Sequence, residues 1–94
     1  MAVKVTVELT GPARVSAGRK EVRLTVPDSV IWRDVVTALA QQVPVLVGKA
    51  ITNDQRGLIR PYLLNLGGRY TIKDLDERAE LREGDTISLL TETC

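Results

Sequence analysis

Apolar side chains recur at every second position over two early stretches of this chain, then with helical spacing, then at every second position again. Val3, Val5, Val7 and Leu9 alternate with Lys4, Thr6 and Glu8, the pattern of a strand that buries one face. Val22, Leu24 and Val26 repeat it, and Pro27 ends it because proline cannot donate to a ladder. From Ser29 the period changes. Trp32, Val35, Val36, Leu39, Ala40 and Val43 share one helical face, while Arg33, Asp34, Thr37, Gln41 and Gln42 take the other. Asp34 falls in the first turn, where a carboxylate complements the helix dipole, and Pro44 stops the helix. Tyr62, Leu64 and Leu66 restore the period of two, Gly67-Gly68 supplies the positive φ of a tight hairpin, and Tyr70 to Ile72 returns antiparallel. Glu83-Gly84-Asp85 reads as a turn with Gly84 in the left-handed region, launching a last strand with Ile87 and Leu89 facing inward.

Strand, strand, helix, loop, strand, short strand, strand is the order of an α+β roll. One main helix packs on one face of a mixed sheet of four to five strands, with the first and last strands parallel neighbours in its centre. A chain of 94 residues without linker-like composition is expected to form a single domain over 1–94. The connection from Gly11-Pro12 through Ser16-Ala17-Gly18 reads as a loop with a flexible tip, and Asn53 to Gly57 as another loop. Leu75 and Leu81 are isolated anchors in irregular or short helical structure. Trp32 reads as a lid on the core. Val45-Leu46-Val47 can begin a short helical turn, and is either satellite core or an apolar patch for a partner.

Composition excludes several kinds of chemistry. With no His and one Cys, at position 94, neither a zinc site nor an internal disulfide can be built, and no metal or cofactor is expected. No phosphate-binding glycine loop or nucleophile elbow occurs. The carboxylates Asp74, Asp76, Glu77, Glu83 and Asp85 are interspersed with Arg78 and Arg82 in a polar stretch, with nothing to raise a pKa for acid catalysis. No catalytic residue is assigned, and the chain reads as a carrier, modifier or binding module rather than an enzyme. A net charge of +1 argues against nucleic acid as partner. The absence of a long apolar run or apolar leader argues against a membrane and for a cytoplasmic location. Charge is unevenly placed: residues 1–33 and 34–73 each carry a net +3, and residues 74–94 carry −5. That acidic end is a solvated face or a docking surface for a basic partner.

The element order, the helix W-R-D-V-V-T-A-L-A-Q-Q-V-P, the segment R-P-Y-L-L-N-L-G-G-R and the ending L-R-E-G-D-T-I-S-L-L together resemble the ubiquitin-like sulfur carriers. That family includes the small subunit of molybdopterin synthase and the thiamine-pathway sulfur carrier. The resemblance spans Val3 to Leu90 and implies a β-grasp (ubiquitin-like) fold with a flexible C-terminal tail, here Thr91, Glu92, Thr93 and Cys94. In such carriers the tail ends in Gly-Gly and enters the narrow site of an E1-like adenylating enzyme. Its carboxylate becomes an acyl-adenylate and then a thiocarboxylate, whose sulfur passes to a cofactor precursor or another acceptor. The implied partners are that enzyme, a larger synthase subunit, or both.

This sequence reads Thr-Glu-Thr-Cys where the family's tail leads to Gly-Gly, and the internal Gly67-Gly68 sits in a hairpin. Three readings remain open. The chain is a sulfur carrier or modifier whose tail is completed beyond Cys94. It is a β-grasp interaction subunit of a larger enzyme, binding through the exposed sheet around Leu63 and Asn65 and through Val45, Leu46 and Val47. Or Cys94 itself carries sulfur as a persulfide or mixed disulfide, against which Glu92 and the terminal carboxylate work by raising the thiol pKa.

Overall fold

The computed structural model describes residues 2–60, 62–67 and 70–91. A five-stranded mixed sheet has the order β2-β1-β7-β4-β5. Strands β1 (Ala2–Leu9) and β7 (Thr86–Thr91) run parallel in its middle, with Val7 opposite Ile87 and Leu9 opposite Leu89. Strand β2 (Glu21–Pro27) pairs antiparallel with the outer edge of β1. On the other side, β4 (Tyr62–Leu66) pairs antiparallel with β7, and β5 (Tyr70–Ile72) antiparallel with β4. This is the β-grasp arrangement expected from the sequence, including the parallel central pair.

Alternation sets which residues face inward. Val5, Val7, Leu9, Val22, Leu24, Val26, Leu64, Leu66, Ile72, Ile87 and Leu89 are all buried against helix α2 (Trp32–Gln42), which contributes Trp32, Val35, Val36, Leu39 and Ala40. No buried polar or charged residue interrupts this core among the described residues. Each fully buried aliphatic side chain contributes about 1.5–3 kcal/mol. Trp32, 1% exposed, is the largest buried side chain, a core lid as its position on the apolar face predicts.

The start of α2 is secured from a distance. Its first amides donate to loop carbonyls, Trp32 N–H to Glu77 O (3.1 Å) and Arg33 N–H to Leu75 O (3.0 Å), which satisfies donors that a helix leaves open. The Asp34 carboxylate accepts from Ile31 N–H at 3.2 Å. Two short strands, β3 (Val30–Ile31) and β6 (Arg78–Ala79), pair antiparallel and tie the helix entry to the segment before the last turn. Gly84 adopts φ +86, the left-handed conformation expected of that turn.

Two expectations are corrected. The connection after β1 is not a loop with a flexible tip but a helix, α1 (Gly11–Ala17). Pro12 occupies its first turn, where a missing N–H costs nothing. Ala13 anchors it in the core at 1% exposure, and Gly18 closes it in the left-handed conformation with its N–H on Arg14 O. Thr91, expected in the tail, is instead the last residue of β7, opposite Tyr62. Gly68 and the tail residues Glu92, Thr93 and Cys94 lie outside the described residues. No described helix is long and apolar enough to cross a membrane.

Candidate functional site

Strand β7 is paired on both sides from Ile87 to Leu89 and runs out at Thr91, at the end of the sheet where β1 also stops and β4 begins. Where the β1 ladder gives out, the Thr10 hydroxyl donates to Leu89 O at 2.8 Å. On the other flank Tyr62 stands opposite Thr91 and donates its N–H to Ile59 O at 2.9 Å. Whatever follows Thr91 therefore leaves from a fixed root, held between the turn into α1 and the turn into β4.

Leading up to that root, the sheet face turned away from α2 carries Lys4, Thr6 and Glu8 from β1, Thr86, Ser88 and Leu90 from β7, Leu63 and Asn65 from β4, and Thr71 from β5. Most are polar, and Leu63 with Leu90 is the exception. The two are directly opposite across β4 and β7, both partly exposed, and residues so placed have Cβ atoms about 4.5–5.5 Å apart. Two residues along, Asn65 lies opposite Ser88 on one side and Thr71 on the other. Its Nδ2 reaches Thr71 Oγ1 at 3.4 Å, but its Oδ1 is enclosed without a hydrogen-bond partner among the described residues. The predicted binding residues Leu63 and Asn65 are thus brought together on one open face, beside the root of the chain's end.

The predicted patch at 45–47 fares differently. Pro44–Leu46 forms a 3-10 turn, in line with the expected short helical turn. Val45 is 43% exposed, but Leu46 is 0% exposed and belongs to the core, with Val47 partly buried against it. Leu46 cannot meet a partner, a correction that follows from rotation: three consecutive residues in a tight helical turn point in three directions.

A polar cluster unforeseen in the sequence binds two loops to α2. Arg33 donates through Nε to Asp76 Oδ1 at 2.6 Å and through a terminal nitrogen to Arg56 O at 2.9 Å. Arg56 in turn reaches Asp34 Oδ1 at 2.9 Å, and Thr37 donates to Gln55 O at 2.6 Å. These contacts shift titration in consistent directions. Arg33 beside its carboxylate partner holds Asp76 below the usual carboxylate range, and Asp76 raises Arg33. The hydrogen bond from Arg56 lowers Asp34 against the opposing effect of burial, and the Thr52 hydroxyl, then Arg56 N–H, lowers Asp54. The acidic final fifth likewise builds turns: Asp74 accepts from Asp76 N–H, Asp85 from Arg82 N–H and Glu83 from Lys4 N–H. Asp34, Asp54 and Asp76 are thereby held ionised, a setting for structure and not for proton transfer. Among the described residues no group of three or more His, Cys, Asp or Glu could hold a metal ion.

No protein-family model and no curated protein matches this sequence. Solved structures do. The crystal structure of SAMP1 from Haloferax volcanii has a TM-score of 0.79 at 21% identity, over 96% of each chain. The solution structure of small archaeal modifier protein 1 from Methanosarcina acetivorans has a TM-score of 0.69 at 23% identity, over 97% of this chain and 94% of that one. A protein described as molybdopterin converting factor subunit 1 from Pyrococcus furiosus has a TM-score of 0.70 at 21% identity, over 97% and 99%. The chain is thus similar in fold, nearly end to end, to small ubiquitin-like proteins.

Proposed function

We propose that this chain is a ubiquitin-like sulfur carrier or protein modifier whose C-terminal segment is activated by an E1-like adenylating enzyme. The observation that carries this reading is the position of β7. The central strand, paired on both sides, delivers the chain's end at one pole of the sheet, with the apolar pair Leu63 and Leu90 on the open face immediately before it. An enzyme can take up the residues that follow while β7 keeps its pairing to β1 and β4. Support also comes from the structures that share the fold, which are described as modifiers and as a molybdopterin converting factor subunit.

In this reading the sheet and helices up to Thr91 act as the body of the carrier and the residues after Thr91 as the reactive arm. The terminal carboxylate attacks the α-phosphorus of ATP and pyrophosphate leaves. A sulfur donor then displaces AMP to give the thiocarboxylate, or an amine displaces it to give an amide. Leu63, Leu90 and Asn65 form the surface on which the enzyme, or a larger synthase subunit, seats the domain.

The test is the intact mass of the protein from its native source, before and after incubation with ATP, a sulfur donor and the adenylating enzyme of the same cells. Exchange of one oxygen for sulfur at the C-terminus is the expected result. Gain of a sulfur that Cys94→Ser abolishes would instead place the chemistry on the thiol. An unchanged mass, together with co-purification in fixed ratio with a large enzyme, would leave the chain as an interaction subunit.

A further inference from the structure

Basic side chains from four separate segments gather at the end of the molecule from which β7 leaves. Leu9 N–H donates to Lys20 O at 2.8 Å, so Lys20 sits beside the end of β1, and with Arg14 it lines a depression that includes Thr10, Glu8 and Glu21. Thr10 in turn holds Leu89 O. Arg19 stands between Gly18 and Lys20 on the same connection. On the other flank, Ile59 N–H donates to Ala50 O at 2.9 Å, which brings Lys49 and Arg60 together beside the start of β4. All five cations are exposed, and none makes a side-chain hydrogen bond or ion pair with a described residue. The described carboxylates from Asp74 to Asp85 lie elsewhere: the 82–85 turn packs on the start of β1, with Gly84 N–H on Lys4 O and Asp85 O on Thr6 N–H.

The same end carries the two large apolar side chains most exposed among the described residues, Val15 on α1 at 82% and Val45 on the adjoining 3-10 turn at 43%. Unpaired cations around exposed valines, with Glu8 and Glu21 among them, form a mixed surface. Nucleic acid favours an unbroken cationic one, and the net charge of +1 gives it no general attraction. We infer that Arg14, Arg19, Lys20, Lys49 and Arg60 form a basic collar around the root of the C-terminal segment, which docks on an acidic rim bordering the tail channel of the activating enzyme. This rests on the reading above. The collar acts on encounter and orientation, since exposed charges steer association more than they hold a finished complex.

The test uses the full chain and the adenylating enzyme of its own cells in an ATP–pyrophosphate exchange assay. A variant with Arg14→Glu, Lys20→Glu, Lys49→Glu and Arg60→Glu is compared with wild type and with a control bearing Glu77→Lys and Glu80→Lys at the opposite end. All these side chains are exposed, so unchanged urea midpoints are expected and are checked first. The collar variant should raise KM for the chain at least about tenfold at low ionic strength with kcat unchanged. The difference should close in about 1 M salt, where the Debye length falls to about 3 Å, and the control should match wild type. An unmoved KM overturns the collar and leaves the carrier reading intact. The collar is equally overturned if the variant loses retention on duplex RNA or anionic vesicles while KM stays put. Absence of exchange with wild type removes the carrier reading, and the collar with it.

Discussion

Replacing Asn65 by valine should make this protein more stable. The Asn65 side chain points to the open sheet face, with Nδ2 at 3.4 Å from Thr71 Oγ1 and Oδ1 enclosed without a partner among the described residues. Turning the amide over does not help, because one polar atom must still occupy the enclosed position. An enclosed, unsatisfied carbonyl costs about 1–3 kcal/mol, whereas a long neutral hydrogen bond returns about 0.5 kcal/mol. Valine also suits a strand better than asparagine, by a few tenths of a kcal/mol at this kind of site. The balance is a stabilisation of about 1–2 kcal/mol, or a rise in Tm of roughly 5–10 °C for a chain of this size. Urea unfolding is the direct assay, with a higher midpoint at an unchanged slope as the expected result. A lower midpoint would show that the amide is well satisfied where it stands. If it does await a donor on a partner, the same variant should also bind that partner more weakly, separating stability from function at one atom.

Three further outcomes follow from the packing. Trp32→Ala should cost about 3–5 kcal/mol, since it empties the largest buried site in the core; a loss below 1 kcal/mol in urea unfolding would mean that α2 collapses onto the sheet without it. Thr10→Val removes the hydroxyl bond to Leu89 O and should cost about 1 kcal/mol, with faster amide exchange confined to the last residues of β7 and the start of α1; uniform exchange would refute the idea of a fixed root. Acid should loosen the loops on α2 first. Asp34, Asp54 and Asp76 are all held below the ordinary aspartate range, so their contribution is full above that range and is lost as the pH falls through their lower folded pKa values. Amide exchange at 52–57 and 74–77 measured from pH 5 downward should rise before that of β1 and β7, and a simultaneous rise would contradict this order.

Much of the sheet was legible because one face of each long strand is buried. Val5, Val7, Leu9, Val22, Leu24 and Val26 alternate without a break, and the helical face of α2 can be read residue by residue from Trp32 to Val43. Helix α1 was not legible for the opposite reason: its single buried residue, Ala13, provides no period. The signal available was Pro12 near the start and Gly18 just past the end, the asymmetry of a short capped helix. Strands β3 and β6 have two residues each and no pattern to detect. On the candidate site, the outward placement of Leu63 and Asn65 was legible because the inward positions of β4 are unambiguous, which leaves its outward positions known by subtraction. Leu46 was misplaced because an apolar triplet in a tight turn does not disclose which member points inward.

Local chemistry alone therefore determined the strands, the main helix, the glycine turns and the aliphatic core, since each depends on side-chain spacing and backbone preference within a few residues. Only the tertiary structure decided what stands beside the end of β7. Thr10 and Leu89, Arg33 and Asp76, and the collar cations from Arg14 to Arg60 are far apart in sequence and meet because the sheet order brings them together. Burial is enforced at every inward position by the same transfer free energy and so leaves a repeating trace. Exposed charges and single hydrogen bonds are worth about 1 kcal/mol or less each, impose no period, and become a surface only once the fold has placed them.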